Sequence, residues 1–198
     1  MARIIDEVNG LPQEPVLVAE RVVDDRAARF GKIVIERDFQ MPNGSTASFI
    51  CVASPEIGPS ILIFPLTTQR KVLLVNQFRF ATNEWTLELP GGRLKPGQSW
   101  QEATKDELLE EVGAEVKKMK IIGNPIPNDP ALQTTYFNVV LAKGCKVVKS
   151  QNLDSTEVMT VVEFSIKKFR EMLKKGKITD AKTVAAGYLV LDHLKLLK

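Results

Sequence analysis

The chain has 198 residues, is 44% hydrophobic and 26% charged, and carries a formal net charge of +3. This balance fits a globular protein with its own core and excludes a disordered chain, a collagen-like fibre and a disulfide scaffold. Two distant cysteines, Cys51 and Cys145, exclude a cysteine zinc site, and the single histidine, His193, near the C-terminus argues against a Ser-His-Asp or Cys-His triad and a multi-histidine metal centre. Any chemistry therefore falls to carboxylates. A charge this small announces neither nucleic acid nor an anionic membrane. Residues 1–20 carry Arg3, Asp6, Glu7 and Glu14 and lack the apolar core of a secretory signal. No apolar run approaches the roughly 18 residues that a membrane span needs. The expected location is cytoplasmic.

Strands come first. Val16, Leu17, Val18, Val22 and Val23 mark one over 15–23, and the alternation of Ile33, Ile35, Arg37 and Phe39 marks a second over 32–39. A third covers 46–52. Met41-Pro-Asn-Gly44 separates the last two, and Asn-Gly between strand patterns predicts a tight hairpin with both residues at positive φ. Residues 15–54 thus read as an antiparallel meander. The apolar runs Ile61–Phe64 and Val72–Val75 predict buried strands over 60–66 and 71–77. A strand over 84–89 must stop at Pro90-Gly91-Gly92.

A helix follows. Ser99 with Glu102 three residues on predicts a capping box, and Gly113 predicts the stop after Val112. Further strands are expected over 118–122, 137–142 and 158–164. A helix is expected from Ile166 to Lys175, closed by Gly176. A last helix, capped by Thr179 or Asp180, should run to about Leu197. Strands, one central helix, strands and then helices describe an α+β sandwich.

The helix over 99–112 carries the chemistry. At 100° per residue, Leu108, Leu109 and Val112 gather on one side with Lys105 between them, and Asp106, Glu107, Glu110 and Glu111 gather on the other around Ala103. Like charges at i,i+3 and i,i+4 repel, and negative charge in the last turn opposes the helix dipole. A solvated acidic face is the bland explanation. The glycine loop in front changes the balance. It brings backbone groups close without side chains in the way, and an oxygen-rich cluster suits a hard divalent cation.

The segment from Gly92 through Gln98, Asp106-Glu-Leu-Leu-Glu-Glu-Val-Gly113 and Ala114 resembles the Nudix box at every spacing. Two residues depart from it: Gln98 stands where the family has Glu, and Asp106 where it has Arg. The approach Gln77-Phe78-Arg79, Trp85 and Leu87-Glu88-Leu89-Pro90 resembles the ADP-ribose pyrophosphatase branch. So do Pro130, 16 residues past Ala114, and Gly176-Lys-Ile-Thr-Asp-Ala-Lys-Thr183.

The resemblance implies a Nudix-type α/β/α sandwich with a mixed central sheet over 56–198. Ahead of it lies an N-terminal meander over 1–55 of the kind with which that branch forms homodimers. It implies a Mg2+-dependent diphosphohydrolase, with Mn2+ as the alternative ion, acting on ADP-ribose or a related nucleoside diphosphate sugar. Carried over by position, Glu107, Glu110 and Glu111 with the Gly91 carbonyl would hold metal. Glu107, Glu110 and Glu157 would be catalytic, Glu157 lying 19 residues before Gly176 and offering a general base. Arg79, Glu88 and Pro130 would contact substrate.

Asp106 cannot orient a neighbouring glutamate as the box arginine does. The two departures change the box charge by minus two and plus one, which points to retuned or weakened catalysis. Pro130 is followed by Ala-Leu-Gln-Thr-Thr135, without the acid usual in the ADP-ribose branch. Two alternatives stay open: a Nudix-like module that binds nucleotide with little turnover, and an RNA or dinucleoside polyphosphate pyrophosphohydrolase. Nine Lys/Arg against three acids over 166–198 hint at the latter, although a solvated helix face explains them as well. His193 reads as structural.

Overall fold

Four successive residues of β4 (Ser60–Thr67), Ile61 to Phe64, are all buried. A strand buried on both faces needs cover on both sides of its sheet. The computed structural model supplies it, describing residues 13–54 and 58–197. Among the described residues, seven strands form one mixed sheet in which β10 (Met159–Ser165), β5 (Lys71–Arg79), β4, β9 (Tyr136–Val147) and β7 (Ala114–Glu115) are successive neighbours. β6 (Glu84–Glu88) pairs with β5, and β8 (Lys118–Pro127) pairs with β9. β4 and β9 are parallel and the other pairs antiparallel.

Period-2 alternation divides β4 and β5 between two cores. Ile61, Ile63, Leu73 and Val75 pack with Ala103, Leu108 and Val112 of the box helix. Leu62, Phe64, Val72 and Leu74 pack with Phe169 and Leu173 of α2 (Ile166–Lys174) and with Ala186, Val190 and Leu191 of α3 (Ala181–His193). Gly187 allows α3 to approach α2: a Cβ there would stand 2.8 Å from Leu173 Cδ1. The expected three-layer sandwich is present.

Two compact units are distinguished. One takes Met1–Pro55 with Asp129–Thr134, and the other takes Glu56–Asn128 with Thr135–Lys198. The boundary expected between 55 and 56 lies outside the described residues, as does most of the segment read for a secretory signal. The first unit is the meander β1 (Val16–Asp24), β2 (Ile33–Gln40) and β3 (Thr46–Ala53). Residues 132–134 join it, because Val52 N–H donates to the Leu132 carbonyl and Thr134 N–H to the Val52 carbonyl.

The β2–β3 connection differs from the tight hairpin expected. Gln40 and Thr46 are the last pair, and only Gly44 has positive φ, at 84°. Asn43 instead uses its side-chain oxygen to accept from Ser45 N–H at 3.0 Å. A five-residue loop lets Gly44 alone take the left-handed turn. α3 stops at His193, earlier than expected, because Lys195 turns to φ 57°. No helix among the described residues is long and apolar enough to cross a membrane.

Candidate active site

β4 and β5 share a ladder only at Leu66 and Val72 and then diverge. The chain leaving β6 fills the gap. Ile61 N–H donates to the Gly92 carbonyl and Ile63 N–H to the Pro90 carbonyl, both at 2.8 Å, and Ser60 bridges Arg93. Residues 90–93 therefore run antiparallel along β4. Alternation along an extended segment turns the Gly91 carbonyl to the opposite side. Both glycines sit in close contacts, with main chain at Gly91 and with the end of the Glu107 side chain at Gly92. A Cβ at Gly91 would stand 2.2 Å from the Ile61 carbonyl oxygen, and one at Gly92 would stand 1.9 Å from Glu107 Oε1.

The box helix begins as expected. Ser99 accepts from Glu102 N–H, and the Glu102 carboxylate accepts from Ser99 N–H. α1 (Trp100–Glu107) then loosens into a π-turn over Leu108–Val112 before Gly113 ends it at φ 69°. This corrects the expected wheel. Ala103, placed there among the acids, is buried in the core, and so is Glu111. The wider turn changes the phase of the last five residues, which swings Glu111 inward, and single π-turns recur at functional sites. Glu111 Oε2 accepts from Gly91 N–H at 2.9 Å.

The turn is held from outside by a segment that sequence reasoning missed. Gln151 Nε2 donates to the Glu111 carbonyl at 2.6 Å, Asn152 N–H to the Glu110 carbonyl, and Val148 and Lys149 N–H to the Gly113 carbonyl. These are carbonyls that a helix end leaves without intrahelical partners.

Burial, together with the neighbouring Glu110 and Glu157, pushes the Glu107 carboxyl up to about 7; Lys95 opposes the shift. Burial and the Glu107 charge push Glu111 up to about 8, against the hydrogen bond from Gly91. A half-buried carboxylate beside a buried one, with so little positive charge nearby, forms a deficit that a divalent cation would fill. Among the described residues, no three His, Cys, Asp or Glu side chains are arranged to hold a metal alone. The donors that would hold such an ion are Glu107, Glu111 and the Gly91 carbonyl. Glu110 is exposed beside Glu107.

Glu157 is brought to the same place, since its charge acts on both Glu107 and Glu111. Its Oε2 accepts from Asp154 N–H at 3.0 Å, which ties it to its own loop. Arg79 and Glu88 are brought to each other: Nε and one terminal nitrogen of Arg79 reach the two Glu88 oxygens at 2.7 and 2.5 Å. Glu88 is 3% exposed. Burial works to raise its carboxyl, but hydrogen bonds from Arg79 and Thr86 outweigh that, and the net shift is downward. Pro130 belongs to the segment Asp129–Thr134 of the meander unit.

The two departures from the box meet. Gln98 Nε2 donates to Asp106 Oδ2 at 2.8 Å, and Gln98 Oε1 accepts from Lys95 N–H at 3.0 Å. A donor-to-acid contact thus occupies the positions at which the family signature has an acid and an arginine.

A family model described as the NUDIX domain matches residues 56–186. The methanol dehydrogenase activator of Bacillus methanolicus is 26% identical over 183 residues, covering 91% of this chain and 95% of that protein. The ADP-ribose pyrophosphatase of Bacillus subtilis (strain 168) is 27% identical over 167 residues, covering 82% and 88%. A crystal structure of an ADP compounds hydrolase superposes with a TM-score of 0.77 at 21% identity, covering 92% of this chain and 95% of that one. The last likeness speaks to the fold.

Proposed function

The chain belongs to the Nudix domain family and is a hydrolase of that family; on this premise we propose that it cleaves the diphosphate bond of ADP-ribose or a related nucleoside diphosphate sugar, using Mg2+ or Mn2+. The products would be a nucleoside monophosphate and a sugar phosphate. The observation that carries the reading is the glycine loop locked against two neighbouring carboxylates, the half-buried Glu107 and the buried Glu111, with the Gly91 amide on Glu111 and the Gly92 Cα against Glu107. The name of the B. subtilis relative supports the substrate class.

Glu107 and Glu111 would lose their protons to bind the cation, together with the Gly91 carbonyl and with Glu110 at the rim. The bound ion would supply charge neutralisation of the diphosphate and a water of lowered pKa. Glu157, near both ligands, would accept the proton of the attacking water as general base. Arg79, preorganised by Glu88, would present its remaining guanidinium edge to a phosphate.

The reading includes a homodimer formed through the meander. Val16, Leu17, Val18, Val22 and Val23 of β1 and Phe49 and Ile50 of β3 are exposed, and a second copy would cover such a patch. Free thiols at Cys51 and Cys145 suit a cytoplasmic location.

A nucleotide-binding module with little turnover is the second reading, and the Gln98–Asp106 contact favours it. Phosphorus NMR of ADP-ribose with and without Mg2+ separates the two. The expected result is AMP and ribose 5-phosphate only with metal, at a rate at least 100-fold lower in Glu111→Gln. Bound but intact nucleotide, across ADP-ribose and other sugar nucleotides, would establish the module instead.

A further inference from the structure

Thr183 lies 94 residues from Leu89 in sequence, yet its hydroxyl accepts the Leu89 N–H at 2.9 Å. Its side chain is fully buried, at 0% exposure. The next residue, Pro90, has no N–H. The amides that can tether the start of the glycine loop are therefore those of Leu89 and Gly91. The second goes to Glu111 and the first to Thr183. β6 ends at Glu88, whose partner is Val75, so the ladder with β5 ends one residue short of Leu89.

Thr183 is itself fixed. Asp180 caps α3 by accepting Thr183 N–H at 2.8 Å, and the same helix packs Ala186, Val190 and Leu191 into the core. The tether thus runs from a rigid helix to the loop. The loop at the other end is closely packed: a Cβ at Gly91 would stand 2.2 Å from the Ile61 carbonyl oxygen.

We propose that Thr183 is a positioning residue of the metal site: by holding the Leu89 amide it sets where the Gly91 carbonyl and amide stand, and so the geometry that Glu111 and the loop offer a divalent cation. The inference rests on the metal-site reading above. It extends the site to the C-terminal helix, about 70 residues beyond the box.

The test is Mn2+ binding to the full-length chain, read by electron paramagnetic resonance, beside the metal-free Tm. Wild type, Thr183→Val, Thr183→Ser and Glu111→Gln are compared. Thr183→Val keeps the shape and removes the acceptor; its Mn2+ Kd is expected to rise about tenfold. Thr183→Ser should return it to within about twofold of wild type. A lowered Tm in Thr183→Val with an unchanged Kd would assign Thr183 to stability alone and overturn the proposal. If Thr183→Val does not fold, Thr183→Cys, with a weak acceptor of similar size, must raise the Kd; an unchanged value there also overturns it. A wild type that binds no Mn2+, or binds it as well after Glu111→Gln, would instead overturn the parent reading.

Discussion

Along Leu89–Gly92 the main chain is tied at each step to a partner in its own unit: Leu89 to Thr183, Pro90 and Gly92 to β4, and Gly91 to Glu111. In β1, by contrast, eight of nine residues are exposed, valines included. The loop is held by both main-chain and side-chain acceptors, whereas β1 is held by its ladder with β2. They differ in what surrounds them. The loop is over-determined, which is what placing a metal ligand within a fraction of an ångström demands. The meander leaves apolar area in water, which the proposed homodimer would cover.

The sharpest way to break this contrast is to add one methyl group at each glycine. At Gly91 the obstacle is main chain, so Gly91→Ala should cost about 3 kcal/mol or more, read as a lower urea midpoint. At Gly92 the obstacle is the end of the Glu107 side chain, which can swing away. Gly92→Ala should stay within about 1 kcal/mol of wild type in stability yet lose on the order of 100-fold in hydrolysis. Equal losses of stability at both positions would remove the distinction between scaffold contact and ligand contact.

The meander supplies the next effect. Val22 is 57% exposed opposite the buried Ile35. Wild type should sediment as a dimer, and Val22→Asp should weaken association by on the order of 100-fold, since a charge at a buried interface is costly. A monomeric wild type would require some other partner for that face. The smallest effect belongs to the box departures. Gln98→Glu with Asp106→Arg puts the family's acid–arginine pair back, and a rise in hydrolysis of roughly two- to tenfold is expected. A fall would mean that the Gln98–Asp106 contact is matched to this chain's own loop.

Much of this was legible in the sequence because it is local. The strand patterns at Ile61–Phe64 and Val72–Val75, the Ser99–Glu102 capping box and the stop at Gly113 each follow from neighbouring residues. Glu107, Glu111 and Gly91 came from spacing and resemblance. What stayed hidden depends on distant contacts. The π-turn that turns Glu111 inward is held by Gln151 and Asn152, some 40 residues away. Thr183 shows itself in sequence as the end of the Gly176–Thr183 segment that resembles the ADP-ribose pyrophosphatase branch and as a polar residue on an otherwise apolar helix face, but nothing there ties it to Leu89, 94 residues away. The Arg79–Glu88 pair became visible only once β5 and β6 were aligned, with Arg79 opposite Glu84 and Val75 opposite Glu88.

The central claim is that Glu107 and Glu111 are metal ligands forced together before the ion arrives. Their folded values, about 7 and about 8, lie above the ordinary 4.5. Stability that the protonated pair lends the metal-free fold is therefore complete below about pH 4.5 and lost as pH rises through 7 to 8. A cation must displace the protons that remain. Calorimetric titration of Mg2+ into the metal-free protein, in buffers of different ionisation enthalpy, counts them. The account predicts more than one proton released per protein at pH 6.5 and almost none at pH 9, with affinity rising between the two. Saturable binding with no proton release at pH 6.5 would contradict it, because the ion would then be sitting on groups other than Glu107 and Glu111.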